Sequence, residues 1–163
     1  MKKTIICLLF WGTQYVDSNA QKGSNYLKIH AAAEFTTGLF ADGYNTGWGV
    51  YATDYIEVAK GGSFLLSIGI AGWKASNDPS KAGMFLTRIG YRQFVSSGLY
   101  MQGEGGLGFG QNNFSGSTKF VLSGGFGYLF KGKRGNGFDI CAKVNRGFIR
   151  TWIDLGAGYQ LKL

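Results

Sequence analysis

Residues able to do chemistry are sparse in this chain of 163 amino acids. General acid–base and nucleophilic catalysis usually rest on a histidine beside a serine or cysteine, and His30 is the only histidine. Ser67 and Ser123 lie in no context that marks a nucleophile. His30 and Cys141 together make a poor ligand set for a metal ion. The sequence therefore predicts no catalytic centre, no metal site and no cofactor.

A glycine-rich run, GEGGLGFG at residues 103–110, superficially suggests a phosphate-binding loop. Such a loop needs a following lysine and an opening helix, and the sequence offers neither. The glycines instead alternate within a strand pattern. This pattern favours glycine packing at the wall of a tight barrel.

The elements that would position these residues are β-strands, seen most clearly in residues 150–163, RTWIDLGAGYQLKL. From residue 153 every second residue is apolar or aromatic, and the residues between them are polar or glycine. Strict alternation indicates a strand with different environments on its two faces. Seven earlier segments alternate similarly and are divided by clusters of Gly, Asn, Asp and Ser that are typical of turns. They cover residues 26–40, 46–58, 63–74, 82–95, 99–110, 118–130 and 138–144.

Eight strands joined by short connections predict an antiparallel, up-and-down β-barrel. No connection has room for the crossover helix that a parallel sheet needs. The 28 glycines, the single proline and the 16% of aromatic residues suit a curved, closed sheet. One irregularity is expected in residues 46–58, where Asp54 falls on the apolar face. It indicates either a bulge or an interface position.

The two faces of the strands predict a closed transmembrane β-barrel, with the apolar face outward. A water-facing sheet would carry dense polar side chains, whereas these polar faces carry small residues and a few charges of both signs. That composition suits a narrow interior that side chains fill completely. Aromatic residues gather near the strand ends, as in the two interfacial belts of membrane barrels. The predicted interior charges are Glu34, Arg88, Arg92, Glu104, Asp139, Lys143 and Asp154.

These interior charges are expected to form pairs between neighbouring strands. The turn after the fourth strand places Glu104 diagonally between Arg88 and Arg92. The last hairpin brings Lys143 close to Asp154. Buried charges cost several kcal/mol unless they are paired in this way. The same charges on an exposed soluble sheet would be ordinary surface salt bridges, which is the simpler alternative.

The first residues are predicted to form a cleaved signal-peptide helix rather than part of the fold. Lys2 and Lys3 precede a mostly apolar stretch at residues 4–16, and the small residues Ser18 and Ala20 frame a cleavage site. The expected domains are a signal peptide at 1–20, a polar leader at 21–25 and the barrel at 26–163. The net charge of +8 comes from scattered basic residues, and without a basic helix or stacking platform no nucleic-acid partner is predicted.

Residues 26–163 resemble, in pattern, the small OmpA/OmpX-type outer-membrane barrels of Gram-negative bacteria, without a subfamily. The end of the chain is similar to the C-terminal sorting signal that such barrels present to their assembly machinery, although Leu163 stands where Phe or Trp is usual. The residues of this signal are Asp154, Gly156, Tyr159, Leu161 and Leu163. The resemblance implies an outer-membrane location, periplasmic termini, and outward-facing loops at Asp42, Asp78, Asn113 and Arg146. Lipopolysaccharide contacts are expected at the outer rim from Lys74, Lys81, Lys119, Arg146 and Arg150.

The leading functional hypothesis is an integral outer-membrane barrel with a closed, ion-paired interior and a structural or surface-interaction role. One alternative is a barrel-embedded lipid-modifying enzyme of the lipid-A acylase or deacylase type, for which His30 is the candidate residue. Another is a secreted, lipocalin-like soluble barrel that binds a small apolar ligand. If the protein is no enzyme, His30 is expected to make hydrogen bonds inside the barrel, near its periplasmic end.

Overall fold

The computed structural model describes residues 24–37, 44–75, 81–112, 118–147 and 150–163. They form a closed antiparallel barrel in which each strand pairs with the next and the last pairs with the first. The predicted fold is thereby confirmed. The strands are β1 (Asn25–Thr37), β2 (Tyr44–Ala59), β3 (Gly62–Ala75), β4 (Lys81–Phe94), β5 (Leu99–Asn112), β6 (Thr118–Lys131), β7 (Gly137–Gly147) and β8 (Arg150–Lys162). A 3-10 turn at Lys133–Gly135 lies between β6 and β7.

Several expectations fall outside the described residues. They are the signal peptide at 1–20, most of the polar leader, and the loops at Asp42, Asp78 and Asn113. Within the described part of the chain, no helix is long and apolar enough to cross a membrane.

Two strands correct the sequence expectation in detail. β7 continues to Gly147, three residues beyond the predicted end at 144. The prediction was wrong because Asn145 looks like a turn residue, whereas its side chain is buried in the barrel. In β2, Asp54 lies in regular pairing with Leu27 and Leu66, so it marks no bulge and faces outward. The register shifts of β2 occur instead near its two ends.

The strands are staggered by ten residues around the barrel. The pairing leads from Tyr26 through Tyr55, Leu65, Gly90, Glu104, Ser123, Asn145 and Trp152 to Thr36, ten positions further along β1. A stagger of this size tilts the strands by about 40° from the barrel axis. Because of this tilt, the register of two adjacent strands does not by itself show which side chains meet across the interior.

The apolar faces point outward and the polar faces inward, as the strand patterns predicted. Leu66, Ile68 and Leu155 are 48–54% exposed, whereas Arg88 and Glu104 are at most 5% exposed. A water-soluble barrel would show the reverse arrangement. The outer surface is therefore built for an apolar surrounding, and the interior holds the charges.

We call the end with the two chain ends and the β2–β3, β4–β5 and β6–β7 connections the terminal end, and the other the loop end. Outward aromatic side chains ring both ends. The ring at the terminal end consists of Phe64, Tyr91, Tyr128, Phe130, Phe138 and Tyr159. The ring at the loop end consists of Phe35, Trp48, Phe85, Phe109 and Phe120.

The interior also has an apolar cluster towards each end. At the loop end, Trp73 and Trp152 pack edge to face with their ring centroids 5.5 Å apart, beside Met84 and Val121. Nearer the terminal end, Tyr100, Leu129 and Cys141 form a second cluster, against which Phe94 packs. The charged side chains lie mainly between these two apolar clusters.

Candidate functional site

Glu104 is the centre of the larger ionic cluster inside the barrel. Its carboxylate lies 3.1 Å from Arg88 Nε and 3.3 Å from Lys143 Nζ. Gln102 Nε2 donates a further hydrogen bond of 2.6 Å to Glu104 Oε1. Two hydrogen-bond donors, Gln102 and Lys143, and the guanidinium of Arg88 thus converge on one buried carboxylate, which offsets part of the cost of removing it from water. We call Arg88, Gln102, Glu104 and Lys143 the Glu104 cluster.

Tyr51 connects the Glu104 cluster to β1. Arg88 Cζ lies 4.8 Å and Lys143 Nζ 5.2 Å from the centroid of the Tyr51 ring. Such cation–π contacts strengthen when water is excluded. The Tyr51 hydroxyl donates to Glu34 Oε1 at 2.5 Å. Arg88 also donates from its NH1 group to Asn145 Oδ1 at 3.0 Å, which explains why Asn145 is buried.

A second ion pair lies nearer the terminal end. Lys28 Nζ is 2.8 Å from Asp139 Oδ1, and the Tyr100 hydroxyl donates to the same oxygen at 2.9 Å. Asp139 is among the predicted interior charges, whereas Lys28, which lies near the end of its strand, is not. The spacing of Lys28, two residues before His30 on the same polar face, was the signal that could have identified it.

The ion pairs and hydrogen bonds of the interior charges differ from those predicted between adjacent strands. Glu104 pairs with Arg88 and not with both arginines, because Arg92 turns towards the terminal end and donates to Gln160 Oε1 at 3.0 Å. Lys143 and Asp154 are cross-strand neighbours as expected, yet the Lys143 ammonium group makes its ion pair with Glu104.

The fully buried charges of the described residues balance formally. Glu34 and Asp154 are fully buried and face each other on β1 and β8, and Arg88 and Lys143 interact electrostatically with both carboxyl groups. Counted over the buried charged side chains, four cations match four anions. They are Lys28, Arg88, Arg92 and Lys143 against Glu34, Glu104, Asp139 and Asp154.

His30 is buried but makes no hydrogen bond through either ring nitrogen, contrary to expectation. It stacks on Tyr51 instead, with the ring centroids 5.0 Å apart. Neither nitrogen therefore has a hydroxyl nucleophile within hydrogen-bond reach among the described residues. Ser67, one of the two serines considered, instead accepts a hydrogen bond of 3.1 Å from Thr53.

Of the five basic residues expected at the outer rim, the four whose side chains are described lie on two different surfaces. Lys74 and Arg146 are exposed on the outer face, whereas Lys119 and Arg150 are partly buried on the inward-facing side of the loop end. Lys81 begins β4, and its side chain lies outside the described structure. Arg146, Lys119, Phe120 and Leu122 line an outer cleft of about 520 Å³.

The residues of the expected sorting signal alternate along β8. Asp154 and Gly156 face the interior, and Tyr159, Leu161 and Leu163 are 40–71% exposed on the outside. The strand therefore presents a continuous apolar stripe on the outer surface.

No protein-family model matches the sequence, and no curated protein matches it. Solved structures do match the fold. Neisserial surface protein A aligns with a TM-score of 0.66 at 13% identity, covering 85% of this chain and 97% of that one. Ail of Yersinia pestis, solved with the heparin analogue sucrose octasulfate, gives a TM-score of 0.56 at 17% identity over 85% and 99% of the two chains.

The N-terminal β-barrel domain of Pseudomonas aeruginosa OprF gives a TM-score of 0.50 at 16% identity, covering 85% of this chain and 99% of the other. Identities this low show a shared architecture and assign no subfamily. Together with the outward apolar band and the buried charges, the three likenesses show that this chain has the fold of the small eight-stranded outer-membrane barrels.

Proposed function

We propose that this protein is an integral outer-membrane barrel with a closed, ion-paired interior, whose role is structural or lies in surface interaction rather than catalysis. The observation that carries the proposal is the outward apolar face. Soluble monomers rarely expose contiguous apolar patches above a few hundred Å². Here large apolar side chains are exposed on all eight strands, between two aromatic rings.

The interior supports a closed barrel. Large side chains such as Trp152, Arg88 and Tyr51 fill it and are at most 1% exposed. An eight-stranded barrel has an interior just wide enough for its own side chains. A lipocalin-like carrier needs an apolar chamber, whereas charged and polar groups occupy this one. A lipid-modifying enzyme is disfavoured because, within the part of the chain that the structure describes, neither ring nitrogen of His30 makes a hydrogen bond to a nucleophile.

The proposed orientation places the terminal end in the periplasm, with residues 1–20 serving as an export signal. The outer stripe of β8, with Tyr159 and Leu161, would be presented to the barrel-assembly machinery. Single-cysteine variants in a Cys7→Ser, Cys141→Ser background test the orientation. A membrane-impermeant maleimide applied to intact cells should label Lys74→Cys at the loop end and spare Ser96→Cys at the terminal end. The opposite labelling pattern would refute it.

The basic residues of the loop end are proposed to contact the phosphate groups of lipopolysaccharide. Lys74 and Arg146 would act from the outer side, Lys119 and Arg150 from the rim, and Lys81 is proposed as a further contact. The cleft beside Arg146 joins a cation to the apolar surfaces of Phe120 and Leu122, a combination that suits an amphiphile with an anionic headgroup. Ail, which has a similar fold, was solved with the heparin analogue sucrose octasulfate, a ligand that is also anionic.

Cell fractionation tests the location. The protein should be found in the outer-membrane fraction, enter the detergent phase, and change its gel mobility on boiling, because intact barrels resist detergent. Recovery in the aqueous phase as a soluble monomer would overturn the membrane assignment. For lipopolysaccharide, a Lys74→Gln, Arg146→Gln variant should bind micelles more weakly than wild type. An Arg134→Gln, Lys162→Gln variant, altered at exposed cations of the other end, should bind as wild type does.

A further inference from the structure

A polar cleft of about 360 Å³ opens into the barrel at the terminal end. Its walls combine basic, hydroxyl-bearing and apolar side chains from six strands and their connections. They include Glu57, Lys60, Ser63, Arg92, Phe94 and Lys131. None of them belongs to the Glu104 cluster or to the basic rim at the loop end.

The floor of the cleft contains a buried guanidinium that lacks an acidic partner. Arg92 is 1% exposed and takes part in none of the ion pairs of the described residues. Its Cζ lies 3.6 Å from the centroid of the Tyr55 ring, and its NH1 group donates to Gln160. Its Nε has no hydrogen-bond partner. Guanidinium groups offer five donors and rarely lie buried without an anion.

Two ammonium groups add positive charge at the mouth. Lys60 and Lys131 are exposed there, and Glu57 is the only acidic residue in the lining. Arg92 Cζ is 4.9 Å and Lys131 Nζ 5.1 Å from the centroid of the same Phe94 ring, so the two cationic groups are at most about 10 Å apart. Both cations border the same cleft, and an oxyanion there can accept charge-assisted hydrogen bonds of about 2.7–2.9 Å.

We propose that this cleft binds a phosphate group, with Arg92 as the fixed donor and Lys60 and Lys131 as flexible ones. The stack on Tyr55 holds the guanidinium plane in place, so little freedom is lost when the anion binds. The cleft is larger than a phosphate ion, and the Phe94 ring provides an apolar wall. A phosphate ester with a small organic group therefore fits better than the free ion. The ester is either a soluble molecule or the headgroup of a membrane lipid.

Calorimetry on the full-length folded protein in a nonionic, phosphate-free detergent tests the proposal. The probes are inorganic phosphate and glycerol 3-phosphate at constant ionic strength. Saturable binding is expected for both, with glycerol 3-phosphate binding more tightly. A Lys60→Gln, Lys131→Gln variant should lose about fivefold in affinity, because both flexible cations at the mouth are removed. Lys162→Gln, which removes an exposed cation of the same end that does not line the cleft, should bind as wild type does.

Arg92→Lys provides a second measurement. This variant keeps the charge but loses the planar fork, so affinity should fall by about tenfold or more; heat-dependent gel mobility verifies that it folds. If it does not fold, the double lysine variant decides alone. Two results would overturn the proposal: no saturable heat with either probe in wild type, or equal affinity in wild type and the double lysine variant.

Nanodiscs distinguish the two sources of the phosphate. If a lipid headgroup is the ligand, phosphatidylglycerol in the nanodisc should compete with glycerol 3-phosphate and weaken its apparent affinity. Discs of phosphatidylcholine with and without phosphatidylglycerol should otherwise give the same affinity, which would assign the cleft to a soluble ester. The inference does not depend on which membrane holds the barrel, because the detergent experiment measures the cleft alone.

Discussion

Arg88 and Glu104 lie on adjacent strands with Nε 3.1 Å from Oε2, and both are shielded from solvent by the barrel wall. In water such a pair contributes little, but inside the barrel neither group can return to solvent without unfolding. The stability of the interior therefore depends on keeping both partners.

Removing one partner of this pair should destabilise the barrel strongly. Glu104→Gln leaves Arg88 and Lys143 without their shared anion, and we expect a loss of about 3–5 kcal/mol in the free energy of unfolding. Urea unfolding in lipid vesicles, followed by tryptophan fluorescence, measures it. Glu57→Gln, at the mouth of the barrel, serves as the matched control and should change stability by less than about 1 kcal/mol.

A double variant separates pairing from simple loss of volume. Arg88→Met combined with Glu104→Gln should cost less than the sum of the two single changes, because the second change removes a charge that the first left unpaired. Strictly additive costs would show that the two groups do not interact.

A charged residue on the outer face should destabilise the barrel more at the middle of a strand than near its end. Ile68 lies at the middle of β3 and Val58 next to the terminal end of β2, and both are exposed. Ile68→Arg is expected to cost about 2–4 kcal/mol and Val58→Arg about 0–1 kcal/mol. Unfolding in vesicles provides the comparison. Equal costs at both depths would contradict a bilayer around the barrel.

The glycines of β5 should differ by face. A side chain at Gly106 would collide with the backbone of Thr87 and Arg88, whereas one at Gly105 would make ordinary contacts of 3.5 Å with Leu122. Gly106→Ala should therefore cost about 1–3 kcal/mol or more, and Gly105→Ala should be close to neutral. The unfolding midpoints of the two variants decide the matter, and similar midpoints would rule out close packing at the wall as the reason for the glycine run.

Cys141 should be a reporter of barrel closure. Its thiol is free and buried, so a maleimide should react at least about 100-fold more slowly in the folded protein than in urea, since reaction requires opening of the structure. Mass spectrometry of the Cys7→Ser protein follows the reaction. Ser97→Cys in a Cys7→Ser, Cys141→Ser background is the exposed control. Equal rates at the two positions would mean that the wall is open.

Alternation of side chains along the strands was enough to predict the strand number, the antiparallel order and the outward apolar face. The reason is that a barrel in an apolar surrounding imposes two very different environments on neighbouring residues. Turn chemistry was less informative. The residues after 144 were assigned to a link because asparagine and glycine usually mark turns, whereas Asn145 is held inside the barrel by Arg88.

The contacts across the interior could not be predicted from strand pairing. Lys28 on β1 pairs with Asp139 on β7, and Arg92 on β4 donates to Gln160 on β8. Neither pair lies on adjacent strands, so the stagger and the diameter of the barrel determine which groups meet. The same limit applies to the aromatic partners of the cations, Tyr51 and Tyr55, which are buried on the inner face of β2 and which the strand pattern does not identify.

The pairing of the eight strands closes on β1 with a stagger of ten residues. This closure also limits which insertions and deletions the sequence can accept. An insertion of one codon within a strand would turn half of that strand inside out, and a cyclic ladder has no free edge at which the error could be absorbed. Insertions and deletions in related sequences should therefore gather in the segments that join strands. Substitutions that keep the polarity and size required on each face can, by contrast, accumulate within the strands.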